Sequence, residues 1–251
     1  MSVSYTKAAI NLYAVLRNLE ELCRLDPQSM FLIRGKQLSI QFVIQGGPSA
    51  YLLFAEGTCK MSETAGVRPI KLYFRSTEHF NRMIDGKATP IPLQGFTRLS
   101  FLTKEFTALT KRLEYYLKPS DERLMEPEYF DIHTQLLLNT AAFAVACIGN
   151  YDTVGQKIAQ RIPDGVISIS IQESGQQVFL LCKNGVLKAM TSTSLTPRAY
   201  MIFDTIQAAN DVLSEKVNVH ELIVKENLLL KGMLPMIQHM NDILAKVPAF
   251  V

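Results

Sequence analysis

The chain has only four cysteines in 251 residues, and no two of them make a CxxC pair. That usage suits a reduced, cytosolic setting rather than a disulfide framework. The four histidines, His79, His133, His220 and His239, are scattered. They form no HExxH, and none stands at metal-ligand spacing from a cysteine, so no cofactor or metal is expected. A GxSxG elbow, a GxxxxGKS/T phosphate loop and a GxGxxG turn are all missing, which removes the common sequence signs of acyl transfer, nucleotide hydrolysis and dinucleotide binding. The first residues lack a secretory n-region and h-region, and the ending Pro248-Ala249-Phe250-Val251 is not a Ser-Lys-Leu peroxisomal address. A cytoplasmic protein is expected. Basic residues are not interleaved with aromatics; "KLYFR" (Lys71 to Arg75) comes nearest, and it reads as a strand with Lys71, Tyr73 and Arg75 on one wet face. No nucleic-acid partner is expected.

What is present is an ordinary globular composition, 48% hydrophobic and 20% charged with net charge +3, on a chain long enough for one large or two small domains. The charge is unevenly placed. Residues 1–118 carry 16 Lys and Arg against 9 Asp and Glu, a balance of +7, and residues 119–251 carry 10 against 14, a balance of −4. Three readings fit this split: transient contact of the basic half with an anionic membrane surface, docking of the two halves on each other, or accident.

One stretch, Leu38 to Lys87, is echoed by Val166 to Lys216. Leu38, Ile40, Phe42 and Ile44 alternate with polar or outward positions as a strand does, and so do Ile167, Ile169 and Ile171. Leu38 and Ile167 are 129 residues apart, as are Lys87 and Lys216. "AYLLFAEGTCK" lies over "VFLLCKNGVLK", and "IKLYFRSTEHFNRMIDGK" over "AYMIFDTIQAANDVLSEK". The pattern predicts two copies of one domain, at 1–118 and 131–251, joined by a linker over 119–130 that is punctuated by Lys118-Pro119-Ser120-Asp121 and Glu126-Pro127-Glu128.

The first copy opens with a helix from Tyr5 to Arg24, with Leu12, Leu16, Leu19 and Cys23 on one face, ended by Asp26-Pro27. Cys23 on that stripe reads as a packed thiol. Strands from Leu38, from Tyr51 and around Cys59 to Met61 form a meander, and another strand runs from Ile70 to Phe74. Ser76 can then cap a helix. Thr89 to Leu93 reads as an extended apolar loop, Leu99 to Leu102 as the last strand, and Phe106, Leu109, Leu113 and Leu117 as one side of a closing helix. Thr103 falls where the second copy has Gly232. That copy opens with an apolar helix over Asp131 to Ile148, too short and too interrupted for a membrane span and placed between neighbours on several sides, a candidate for lying between the domains. It ends in "NLLLKGMLPMIQHMNDIL", a strand, a turn at Gly232 and a helix with Pro235 in its first turn.

The meander with its "GGPS" turn, then "YLLFAEGTCK", a strand, a helix ending "MIDGK" and a C-terminal amphipathic helix resemble the sterol carrier protein-2 (nonspecific lipid-transfer) family. "AYMIFDTIQAANDVLSEKVN" and "LLLKGMLPMIQHMNDIL" resemble it again. The resemblance implies an α+β fold of two tandem sterol-carrier-like domains, each a roughly five-stranded sheet covered by helices around an apolar core or tunnel. It also implies noncovalent binding of a fatty acid, acyl chain or sterol-like lipid without chemistry. By position in that pattern the tunnel candidates are Phe80, Met83, Ile84, Phe101, Phe106 and Leu109 in the first copy. In the second they are Ile206, Val212, Leu213, Leu230, Met236, Ile237 and Met240. Each of these residues also has a plain reading as core. The alternative is a lipid-free interaction or dimerisation module with filled cores.

Overall fold

The computed structural model of the chain describes residues 1–214, 216, 219–224 and 226–250, with 219–221 as backbone only. His220 of the sequence reading thus lies outside the described side chains. The chain divides into two compact units, residues 2–124 and 125–251.

In the first unit, α1 (Val3–Ile10) is capped by Ser2, whose hydroxyl accepts the Tyr5 N–H. A π turn at Asn11–Val15 and a 3-10 turn at Leu16–Asn18 carry the helical path into α2 (Leu19–Leu25). The expected stripe of Leu12, Leu16, Leu19 and Cys23 is buried. Asp26 caps α3 (Pro27–Leu32), with Pro27 in the first turn. Then come β1 (Leu38–Ile44), β2 (Ser49–Ala55), β3 (Thr58–Ser62), β4 (Pro69–Phe74) and α4 (Thr77–Ile84), the last capped by Ser76 as the sequence suggested. β5 (Ile91–Gln94) completes a sheet of order β3-β2-β1-β4-β5, in which β1 and β4 run parallel and the other neighbours antiparallel.

Two expectations fail at this edge. The last strand is Ile91–Gln94, in the stretch read as a loop because of its prolines; a strand at the sheet's edge tolerates a proline such as Pro92. Leu99 to Leu102 is helical instead: α5 (Leu99–Phe101) leads through a π turn at Leu102–Phe106 into α6 (Thr107–Leu117). Gly95 explains the change. It sits at φ 85°, and a Cβ there would lie 2.8 Å from the Pro69 carbonyl oxygen, so the chain turns hard at the sheet edge and Leu99 falls beyond it.

A short α7 (Asp121–Leu124) closes the unit, and α8 (Pro127–Tyr151) opens the next, starting four residues before Asp131 and ending three after Ile148. At 25 residues it is long and apolar enough to cross a bilayer, contrary to the shorter helix expected, yet 89% of its most apolar stretch is buried. It packs on strands and helices of its own unit. α9 (Thr153–Ala159) is capped by Asp152. β6 (Gly165–Ile171), β7 (Gln177–Lys183), β8 (Val186–Met190), β9 (Ala199–Phe203), α10 (Ile206–Leu213), α11 (Val219–Val224), β10 (Leu228–Gly232) and α12 (Leu234–Leu244) follow. The sheet order β8-β7-β6-β9-β10 reproduces that of the first unit, with β6 and β9 parallel. The two sheets fit an α+β protein of two tandem domains.

The register linking the two sheets is not constant. Ile44 faces Phe74 and Ile171 faces Phe203, so β1 and β6 correspond at 127 residues, two short of the Leu38 to Ile167 match. Alternating apolar residues look the same after a slip of two, which keeps every side chain on its face. Helices α4 and α10 correspond at 129 (Thr77 to Ile206). α11 then intervenes, and Gly232, at φ 81° against the Arg198 carbonyl, takes the place of Gly95 rather than Thr103. A repeated asparagine ties helices together in both units. Asn81 accepts from Asn11 Nδ2 (3.0 Å) and donates to the Ser4 carbonyl (3.1 Å), while Asn210 Nδ2 donates to Thr134 Oγ1 (3.1 Å).

A two-pronged ion pair of the first unit joins the start of α3 to α6. Arg112 donates from Nε (3.0 Å) and Nη2 (2.7 Å) to the two carboxylate oxygens of Asp26, whose side chain is 4% exposed. Burial alone would raise the Asp26 pKa, but the hydrogen bonds from Arg112 and Ser29 outweigh it and hold the carboxyl below its ordinary value. Replacing Arg112 with Met leaves a buried carboxylate without its cation and is expected to cost about 3 kcal/mol at neutral pH. Because the folded pKa is depressed, that contribution exists above the ordinary 3.8 and fades as pH falls through the folded value. Urea titrations of wild type and Arg112→Met should therefore converge in acid; a gap of equal size at neutral and acid pH would contradict this role for the pair.

Candidate functional site

The two units fill equivalent space with different volumes. In the first, Phe42, Phe74 and Phe80 form one aromatic cluster, with Phe74 and Phe80 edge to face at 5.0 Å and Phe42 at 6.5 and 6.3 Å from them. Phe54 forms a second cluster with Phe101 (5.2 Å) and Phe106 (6.3 Å). By strand register and helix position, Phe42 corresponds to Ile169, Phe54 to Cys182 and Phe80 to Ala209. Three phenyl rings are thus replaced by smaller groups in the second unit.

Helix α8 covers that sheet, and a cavity lies where it meets β6, β9, α10 and α12. Leu138, Ala141, Ala142 and Val145 form one wall, Ile169, Met201 and Phe203 the floor, and Val212, Leu213, Met240 and Leu244 the far side. Every lining residue is apolar. Its volume is about 20 Å³, room for about one water, and its apolar lining offers a water no hydrogen-bond partner. A pocket that buries a drug-sized ligand measures several hundred cubic ångström. The cavity is therefore a seam between helices rather than an open tunnel.

Of the residues singled out from sequence, Val212, Leu213 and Met240 meet at this seam. Met236 and Ile237 are fully buried outside its lining, and Ile206 and Leu230 are half-buried. In the first unit Phe80, Phe101 and Leu109 are buried core, Phe101 being helical rather than on a strand, while Phe106, Met83 and Ile84 are half-buried. Leu244, the floor of Ile169, Met201 and Phe203, and the α8 wall were not singled out. The wall's signal was in the sequence, since Leu138, Ala141, Ala142 and Val145 stand at i, i+3, i+4 and i+7, but a helix apolar on nearly every side gives no means of choosing one face.

Nothing reactive faces the seam. Burial pushes the Cys182 thiol up to about 12 and, with the neighbouring Cys23, raises Cys59 well above its usual range. Among the described residues no three His, Cys, Asp or Glu side chains gather as a metal would require. His239 lies 3.3 Å from Asp242 on α12.

No protein-family model matches the chain, and no curated protein matches it in sequence. Similar solved structures include the UbiJ-SCP2 ubiquinone synthesis protein, at 11% identity and TM-score 0.34 over 43% of this chain and 94% of that one. The sterol carrier protein domain 2 of Helicoverpa armigera aligns at 13% identity and TM-score 0.37, over 45% of this chain and 89% of that one. The sec-alkylsulfatase Pisa1 from Pseudomonas sp. aligns at 12% identity and TM-score 0.27, over 60% and 29%. At these scores the reading of the site rests on the chain's own geometry.

All four thiols, Cys23, Cys59, Cys147 and Cys182, are buried, and none is in a disulfide. A thiol reagent at neutral pH should leave them unmodified over hours in the native protein and label all four in denaturant. Rapid labelling of the native protein at any one of them would show that its surroundings open.

Proposed function

We propose that the chain is a pair of sterol-carrier-like domains whose second unit takes up an acyl chain or similar apolar lipid noncovalently, in the cytoplasm and without chemistry. The observation that carries this reading is the all-apolar seam between α8, the sheet, α10 and α12, whose floor holds Ile169 where the first unit has Phe42. A seam of about 20 Å³ accepts a ligand only by parting its helices. Burying a methylene is worth about 0.8 kcal/mol, so ten methylenes supply roughly 8 kcal/mol to set against that opening. Methionines 201 and 240 suit walls that must repack around different chains. The first unit, with its rings in contact, is read as the filled partner.

The small volume also favours a second reading, an interaction module with filled cores and no ligand. Uptake of a fluorescent fatty acid separates the two. Ala141 and Val212 are half-buried lining residues, so Ala141→Leu and Val212→Phe add bulk at the seam's edge with little effect on the core. The lipid reading expects saturable uptake by wild type and at least a tenfold loss in the double variant, with the unfolding midpoint moved by only a few degrees. No saturable uptake by wild type would favour the filled-core module.

A further inference from the structure

The basic half of the chain places four exposed large apolar side chains and three arginines at one end of its sheet. The register shows which residues share that end. β1 begins at Leu38 opposite Phe54 of β2, and the β2–β3 turn at Ala55 to Thr58 closes there. β4 begins at Pro69 opposite Ser39, and β5, antiparallel to it, leaves at Gln94 beside Lys71. Three close approaches gather the flanking segments at the same end. Met30 of α3 comes within 3.5 Å of where a Gly57 Cβ would stand, Ser39 Oγ donates to the Val67 carbonyl at 3.2 Å, and Gly95 abuts Pro69.

The side chains carried by these segments are unusual for a soluble surface. Phe31 is 70% exposed, Val67 63%, Phe96 62% and Met30 47%. Arg34, Arg68 and Arg98 lie within three residues of one or another of them, and among the described residues no ion pair engages these three arginines. Lys36, also here, is neutralised by Glu105 at 2.6 Å. Glu56 is the acidic residue of the turn. Scattered apolar residues on a surface need no explanation, but four beside unpaired cations on the half that carries +7 form the combination an anionic bilayer surface recognises.

We propose that this end of the first unit docks on anionic phospholipid membrane, with Phe31, Val67, Phe96 and Met30 entering the headgroup boundary and Arg34, Arg68 and Arg98 meeting lipid phosphates and carboxylates. The proposal is independent of the seam in the second unit. Membrane contact here and lipid uptake there can each fail without the other.

Co-sedimentation of the full chain with phosphatidylcholine vesicles, with and without phosphatidylserine, tests it. The expected result is binding to the mixed vesicles alone, weakened as salt rises. Arg34→Gln, Arg68→Asn and Arg98→Gln together should lower partitioning about a hundredfold at low salt. Asn is chosen at 68 because that residue has φ 47°. The same charge change at Arg75, Arg82 and Lys111 should lower it far less, and Phe31→Ser with Phe96→Ser should weaken binding with the charge unchanged. All these side chains except Arg98's are exposed, so thermal unfolding should stay near wild type. Equal binding to both vesicle types, no binding to either, or equal losses from the two cation triplets would overturn the proposal. So would a dimer in sedimentation velocity abolished by Phe31→Ser and Phe96→Ser, which would make the surface an interface between copies of this chain.

Discussion

Each unit depends on one parallel strand pair, β1 with β4 and β6 with β9. A parallel pair cannot be closed by a tight turn, so the chain must leave the sheet and return before the second strand begins. In both units it does so by adding a hairpin on the outer side of the first strand, which leaves the other edge for a fifth strand. The order 3-2-1-4-5 follows, and so does the placement of the short helix after the second parallel strand. That helix is pinned by a capping hydroxyl, Ser76 or Thr205, and by an asparagine, Asn81 or Asn210, that reaches the unit's N-terminal helix.

On this common frame the units differ in what fills the space between sheet and helices. Phe42, Phe54 and Phe80 fill it with rings in the first; Ile169, Cys182 and Ala209 stand in their places in the second, and of these Ile169 lines the apolar seam beside α8 and α12. An unfilled apolar volume costs stability, of the order of 24 cal/mol per Å³. At about 20 Å³ the cost is near half a kilocalorie, small enough to be carried by a fold that uses the site as a point of opening and equally small enough to be a packing defect. The difference between those two is functional, and only a ligand reveals it.

Much of the fold was legible because strands with one wet face alternate and helices with a capping Ser or a Pro in the first turn announce their starts. Ser76 and Pro235 each mark the start of the helix they were expected to mark, and Asp26-Pro27 ends α2 as expected while also starting α3, which was not foreseen. What was misread lies where pattern underdetermines structure. The two-residue slip between β1 and β6 is invisible to alternation, Ile91–Gln94 was hidden by prolines that an edge strand tolerates, and Leu99–Leu102 looked like a strand because four residues cannot distinguish a period of two from one of 3.6. Gly95 was the missing sign, since its turn against Pro69 ends the sheet. Of the site, Val212, Leu213 and Met240 could be named from sequence. The α8 wall could not, because burial on most sides of that helix erases the face that would have pointed to the seam.

Native mass spectrometry of the purified protein, followed by solvent extraction of what accompanies it, tests the central claim most directly. The account predicts a bound mass that extracts as a fatty acid, phospholipid or other chain-bearing lipid, at one equivalent per chain. A bare protein that also stays bare after incubation with excess fatty acid would contradict it and leave the two units as filled-core modules.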